Sequence, residues 1–130
     1  MTLVYFVQDS NLRSQMSNNW FQFKQFRILQ GKTAMKVGTD GVLLGAWVDV
    51  GGEKDETSRI LDVGTGTGLI ALMIAQRSSA EISAIEIDQE AASQADENFR
   101  NSPWSQRISL IQADYRNFKQ LSIEKFDHVV

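Results

Sequence analysis

The spacing of apolar residues along the chain changes near residue 59. Before it, the segment 20–30 reads WFQFKQFRILQ, with Phe21 and Phe23 in one phase and Phe26 and Ile28 in the other. Aromatic, partly alternating stretches of this kind predict strand. Gln30-Gly31-Lys32 carries a turn signal, and 33–37 is expected to return as a second strand, closing a hairpin. Thr39-Asp40 has the side chains of a helix N-cap. The following GVLLGAWVDV reads as a short apolar helix, with Val42, Leu43, Leu44 and Trp47 packing against a sheet. Gly51-Gly52 and the charged run EKDETS read as a loop.

Beyond residue 59 short apolar runs alternate with longer helical patterns. Strands are predicted at Arg59–Val63, 81–87, Ile108–Gln112 and from Phe126 to Val130. Helices are predicted at 69–77, which is apolar nearly all round, and at 88–100, which has a polar face. Asp88 suits the N-cap of the second helix, and Pro103 lies just past its end. Strand–helix alternation predicts an α/β fold with a parallel sheet, right-handed crossovers and helices on both faces. No repeat or low-complexity stretch interrupts it.

Composition narrows the chemistry. A chain of 130 residues holds one domain, and 42% hydrophobic with 22% charged residues is ordinary for a globular fold. Cysteine is absent and His128 is the sole histidine, so thiolate and multi-histidine metal sites are excluded. No metal is expected, and His128 is read as a strand residue. No apolar run approaches the ~18 residues of a membrane span, so no membrane partner is expected. Residues 1–15 contain LVYFV without preceding basic residues and are read as a poorly ordered leader, not a signal peptide; Met16 is a plausible alternative start. A cytoplasmic location is expected. The net charge of −3 is uneven: residues 1–52 hold five Lys/Arg against three acids, residues 53–130 eight against thirteen. Within 20–36, Lys24, Arg27, Lys32 and Lys36 occur without an acid, a modest cationic patch that could meet phosphate, although a solvated strand surface accounts for it equally well.

The central signal is Asp62-Val63-Gly64-Thr65-Gly66-Thr67-Gly68, between a predicted strand and a predicted helix. Glycines there permit a tight turn and let a ligand rest against backbone. The dinucleotide fingerprint is G-x-G-x-x-G. Here the third glycine comes one residue early, giving G-x-G-x-G behind an acid, which resembles the pattern of S-adenosylmethionine enzymes. That cofactor has an amino acid and a sulfonium in place of a pyrophosphate, and Asp62 suits its ammonium group. Glu86, near the end of the second strand, can offer two oxygens to ribose hydroxyls. Asp88 competes for that role but is assigned to the helix cap. Asp114, after the third strand, can accept an adenine amino group.

KVGTDGVLLGAW (36–47) followed by ILDVGTGTGLIALMIAQR (60–77), with FQFKQF (21–26) before them, resembles the bacterial tRNA adenine-N6 methyltransferases that act on the adenine beside the anticodon of valine tRNA. The resemblance extends over about 16–130. It implies a Rossmann-like class I methyltransferase fold, with 16–52 as an N-terminal hairpin and helix and 53–130 as the N-terminal half of a cofactor-binding domain. It implies S-adenosylmethionine as cofactor and tRNA as partner. Asp62, Gly64, Thr65, Gly66, Gly68, Glu86 and Asp114 carry over as the cofactor set, with Lys36 and Asp40 on the side that closes the pocket, while Thr39 is expected only to cap. Lys24, Arg27 and Lys32 are the RNA-contact candidates; Trp20, Phe21, Phe23 and Phe26 could stack bases or pack the hairpin. The family's catalytic Asn-Pro-Pro-aromatic motif follows the fourth strand. Here the chain ends inside that predicted strand, at FDHVV, and its single proline is Pro103. The motif is therefore expected beyond Val130. The chain is expected to be an N-terminal fragment, with no catalytic residue of its own, binding cofactor weakly or not at all and transferring no methyl group by itself. The same motifs also fit methyltransferases of rRNA, DNA or a protein glutamine, and a non-catalytic cofactor-binding module.

Overall fold

The computed structural model describes residues 19–50, 58–118 and 125–130. The expected leader over 1–15 and most of the loop after Val50 lie outside the described residues. Six strands and four helices follow in the order β1 (Trp20–Gln22), β2 (Arg27–Leu29), α1 (Thr39–Trp47), β3 (Arg59–Val63), α2 (Leu69–Gln76), β4 (Glu81–Glu86), α3 (Gln89–Arg100), β5 (Ile108–Gln112), α4 (Tyr115–Phe118) and β6 (His128–Val129).

β5, β4, β3 and β6 form one parallel sheet in that spatial order. The predicted βαβ units from 59 to 112 are present. α2 and α3, however, pack on the same face, over Ile60, Ile82, Ala84 and Ile108. Helices on both faces were expected; among the described residues the other face carries a small cluster of Leu61 and Ile85, with Val63, Ile111, Ala113 and Phe126 against it. The reason is handedness. The crossovers β3–α2–β4 and β4–α3–β5 step in one direction along the sheet, so a right-handed turn puts both helices on one side. β6 lies beyond β3, so the chain reverses direction after β5.

The last strand is shorter than the expected Phe126–Val130: it comprises His128 and Val129, with His128 opposite Ile60. The start of β3 sets its beginning. Asp127 N–H already donates to the carbonyl of Arg59, the first residue of β3, at 2.8 Å. Phe126 therefore precedes its partner strand, and its ring lies 5.4 Å from the Arg59 guanidinium carbon. At the other end Val130 falls outside the strand but stays on the ladder. Its N–H donates to the Leu61 carbonyl at 2.9 Å, and its own carbonyl accepts from Val63 N–H at 2.8 Å. The side chain of Val130 packs against the main core.

The hairpin differs from expectation. β1 and β2 pair antiparallel inside the segment read as one strand, with Phe21 opposite Ile28, and 33–37 is not a strand. The change of apolar phase between Phe23 and Phe26 marks the turn. There Phe23 N–H donates to the Phe26 carbonyl at 2.9 Å. Phe21, Phe26 and Ile28 are buried and join the main core. Phe23 stacks on Phe26, and Trp104 meets Phe26 edge-on at 5.6 Å between ring centroids. The aromatics of 21–26 thus pack the hairpin onto the domain.

α1 begins at Thr39, and its N-cap is Gly38 without a side-chain hydrogen bond. The expected capping by Thr39 and Asp40 does not occur, because both already lie inside the first turn. The helix rests chiefly on α2. Val42 and Gly45 form its buried side; a Cβ on Gly45 would stand 2.7 Å from Met73 Sδ. With that contact at the small residue, Leu43, Leu44 and Trp47 face solvent, Trp47 at 87% exposure, contrary to the packing expected of them.

Asp88 caps α3 as read from the sequence: its Oδ1 accepts from Ala91 N–H at 2.8 Å. Asp88→Ala should cost about 1 kcal/mol of stability, measured as a lower urea midpoint with an unchanged denaturant slope.

Candidate functional site

The turn after β3 holds three glycines in the left-handed region: Gly64 (φ 74°), Gly66 (φ 57°) and Gly68 (φ 85°). Their reasons differ. A Cβ on Gly68 would lie 2.5 Å from the Phe99 ring of α3, so this glycine serves helix packing. It is not among the residues that line the neighbouring cavity. At Gly64 and Gly66 a Cβ would meet no protein atom within 4 Å. Those two positions face open space, which is the arrangement a backbone cradle requires.

That space is a cavity of about 480 Å³. Residues 64–67 with Leu69 and Ile70 form one wall, and residues 35–41 form the other. Lys36 and Asp40, predicted for the pocket side, are on that second wall, as is Thr39. The turn itself is pinned to the neighbouring strand: Gly64 and Thr65 N–H both donate to the Ile85 carbonyl, at 2.8 and 2.9 Å.

The two inner carboxylates hold the turn from behind. Asp62 is 2% exposed, and Thr65 Oγ1 donates to its Oδ2 at 2.7 Å. Burial pushes the Asp62 carboxyl up from 3.8 to about 6; the Thr65 hydroxyl and the Ala71 N–H pull it down, and the nearby Glu86 carboxylate adds to the rise. Glu86 accepts from Gly66 N–H at 2.8 Å through Oε2 and from Asp88 N–H at 3.0 Å through Oε1. It ends β4, as predicted, but its carboxylate is engaged with backbone donors. Asp114 lies past the end of β5 and away from the cavity wall. Arg116 grips it with Nε at 3.0 Å and a second nitrogen at 2.5 Å from Oδ2, and these bonds hold its carboxyl below the usual carboxylate range.

The basic candidates lie elsewhere. Arg27 stacks over Trp20 at 4.7 Å and donates to Gln22 Oε1 at 2.9 Å. Lys32 approaches Glu97 at 3.9 Å. Lys24 is exposed at the hairpin turn. They occupy the hairpin side of the molecule, separate from the residues that line the cavity.

Three buried amides were not anticipated. Gln30 and Asn98 are almost fully buried, and Gln94 nearly so. The signal was available on α3: Ala91, Gln94, Ala95, Asn98 and Phe99 form its buried stripe, and an amide in such a stripe requires partners.

A family model described as a methyltransferase domain matches residues 60–130. The chain belongs to this methyltransferase family. It is 56% identical over 117 residues to a Bacteroides thetaiotaomicron protein named tRNA1(Val) (adenine(37)-N6)-methyltransferase, covering 88% of this chain and 47% of that protein. A Citrobacter koseri protein of the same name is 49% identical over 123 residues, covering 93% of this methyltransferase chain and 49% of its own length. The chain thus spans about half the length of the curated relatives it matches. A solved O-methyltransferase from Bacillus cereus, in complex with SAH, shares the fold with a TM-score of 0.58 at 21% identity, over 76% of this chain and 46% of that one. No described helix is long and apolar enough to cross a membrane, and the described residues contain no group of three or more His, Cys, Asp or Glu placed to hold a metal.

Proposed function

We propose that this chain supplies the S-adenosylmethionine-binding part of an enzyme that methylates the exocyclic amino group of adenine in tRNA, at the anticodon-adjacent position of valine tRNA, in the cytoplasm. The observation that carries the reading is the cavity walled by Gly64 and Gly66, with an acid buried behind it. A ligand could lie against the open faces of Gly64 and Gly66. Among the described residues, the influences on Asp62 are its burial, two hydrogen bonds and a second carboxylate, with no cation among them. A buried acid without a cationic partner suits a ligand that brings an ammonium group.

The residues divide the work. Asp62 supplies negative charge beneath the turn. Gly64, Thr65 and Gly66 present backbone to the ligand, and Gly68 sets the turn against α3. Each Glu86 oxygen keeps a further lone pair, which suits vicinal ribose hydroxyls. Asp114, held ionised by Arg116, is an acceptor for an adenine amino group. Lys36 and Asp40 close the opposite wall. S-adenosylmethionine supplies an electrophilic sulfonium methyl group when bound. In such a site, positioning and fixed charge provide most of the rate. Residues 16–52 then form a hairpin-and-helix module, and 53–130 the cofactor-binding half.

The names of the 49–56% identical relatives support tRNA as substrate. Lys24, Arg27 and Lys32 are the proposed phosphate contacts. Replacing all three with glutamine should weaken tRNA binding and flatten the slope of log K against log salt by about two to three; an unchanged slope would assign them to a solvated surface.

Two measurements test the function. Titration calorimetry should show the protein that carries this chain binding S-adenosylmethionine and not NAD. The protein that carries this chain should transfer labelled methyl groups to valine tRNA, and not to a transcript in which the anticodon-adjacent adenine is replaced by guanine. Transfer to rRNA, DNA or protein alone would reassign the substrate. Failure to bind the cofactor would overturn the whole reading.

A further inference from the structure

The first two strands lie outside the main sheet, yet they are tied to the glycine turn through one side chain. Asn98 sits on the buried stripe of α3 and is 1% exposed. Its Oδ1 accepts from Leu29 N–H at 2.7 Å, and its Nδ2 donates to the Leu29 carbonyl at 2.9 Å. The amide therefore pairs with β2 as a neighbouring strand would. The remaining Nδ2 hydrogen is directed to the Thr67 carbonyl, 2.7 Å away, between Gly66 and Gly68. The bonding capacity of both nitrogen hydrogens is thus filled.

The segment leaving β2 is held by the same means. Gln94, one turn earlier on α3, accepts from Lys32 N–H at 3.1 Å. Gln30 folds back to accept from Val37 N–H at 2.8 Å. Val37 belongs to the stretch that forms the cavity wall opposite the glycine turn. The wall at 64–67 and the segment that leads into the wall at 35–41 thus meet at Asn98, whose side chain bonds directly to both the turn and the hairpin.

We propose that Asn98 is a positioning residue for the cofactor site: it fixes the glycine turn relative to the hairpin and so sets the separation of the two cavity walls. The proposal rests on the cofactor reading above. A wrong separation costs affinity without touching any group that meets the ligand. A buried amide facing one N–H and two carbonyls has no isosteric substitute, since a carboxylate in its place would confront both carbonyls with an acceptor. Because the turn and Leu29 share this amide, ordering of the turn by ligand is felt at the hairpin.

The test uses the protein that carries this chain, with S-adenosylmethionine as ligand. Asn98→Ser removes the reach to Thr67 and Leu29. Arg107→Ala is the comparison, because its hydrogen bonds run to the carbonyls of Ala80 and Ala75, which do not line the cavity. Affinities are measured at a temperature where circular dichroism shows each variant folded. Asn98→Ser should bind at least tenfold more weakly than wild type. Arg107→Ala should bind within twofold, although both lower the thermal midpoint. Equal affinity for Asn98→Ser and wild type overturns the proposal.

A second measurement needs no substitution and decides the matter if Asn98→Ser does not fold. In wild type the cofactor should slow hydrogen exchange at Leu29 N–H. It should leave Phe23 N–H, bonded at the far hairpin turn, unchanged. Unaltered exchange at Leu29 overturns the proposal. Wild type that binds normally while Asn98 proves indifferent rejects this inference alone; wild type that binds no S-adenosylmethionine rejects the cofactor reading and this inference with it.

Discussion

Asp62→Asn is expected to stabilise the ligand-free protein above pH 6 while removing most of its affinity for S-adenosylmethionine. The stability half follows from linkage. The Asp62 carboxyl stands at about 6 in the folded protein against 3.8 for an ordinary aspartate. Between those values the folded state holds a proton that the unfolded state has released. Stability therefore falls as pH rises through this window, the reverse of the usual carboxylate behaviour. Above pH 6 the cost reaches about 3 kcal/mol as an upper bound. Asparagine keeps an acceptor for the Thr65 hydroxyl and carries no charge, so it should recover part of that cost. The thermal midpoint of Asp62→Asn should exceed wild type at pH 8 and converge with it near pH 4. A midpoint below wild type at pH 8 would show that the buried charge is compensated after all.

The binding half uses the same charge. An ammonium group brought beneath the turn favours the ionised carboxylate, so affinity should rise with pH up to about 6 and then level off. Binding just below that point should release a proton, visible as a calorimetric heat that changes with the buffer's ionisation enthalpy. Losing one partner of a buried charge pair costs about 2–5 kcal/mol, which is a loss of about 30-fold or more. Retained affinity in Asp62→Asn would place the ammonium elsewhere.

Gly68→Ala should be the most destabilising single substitution in the turn, by about 3 kcal/mol. A left-handed φ of 85° costs an alanine about 1–2 kcal/mol, and forcing a methyl to within 2.5 Å of the Phe99 ring adds about 1–3 kcal/mol. Phe99→Leu in the same chain should return part of the second contribution and none of the first. Gly64→Ala shares the backbone strain but meets no protein atom. It should cost only about 1 kcal/mol, yet its methyl enters the cavity and should weaken cofactor binding at least tenfold. Urea unfolding and calorimetry on the two variants separate the roles. Equal stability losses would mean that both glycines are kept for conformation alone.

From Arg59 to Gln112 the sequence by itself determined the fold. Each strand is a short apolar run buried in a parallel sheet, each helix has a local start and stop, and Asp88 caps its helix with atoms three residues away. The glycine turn was legible for the same reason, since positive φ is a local demand. What failed depended on partners distant in sequence. The segment 20–30 has strand composition throughout, and its turn appears only as a slip of apolar phase at Phe23–Phe26. The run from Phe126 to Val130 is apolar at both ends, yet β3 decides how much of it is strand. Leu43, Leu44 and Trp47 read as core because they are apolar. Packing α1 against α2 through Gly45 decided otherwise, and no periodicity in nine residues records which neighbour a helix will choose. The face on which α3 lies follows from strand order, a property of the whole sheet. The carboxylates show the limit most clearly. Asp62 and Asp114 find partners nearby, in Thr65 and Arg116, three and two residues on, but only tertiary structure brings Glu86 to the N–H of Gly66, 20 residues away. Asn98 is the extreme case. A buried amide stabilises nothing until its partners arrive, and here they come from 31 and 69 residues away.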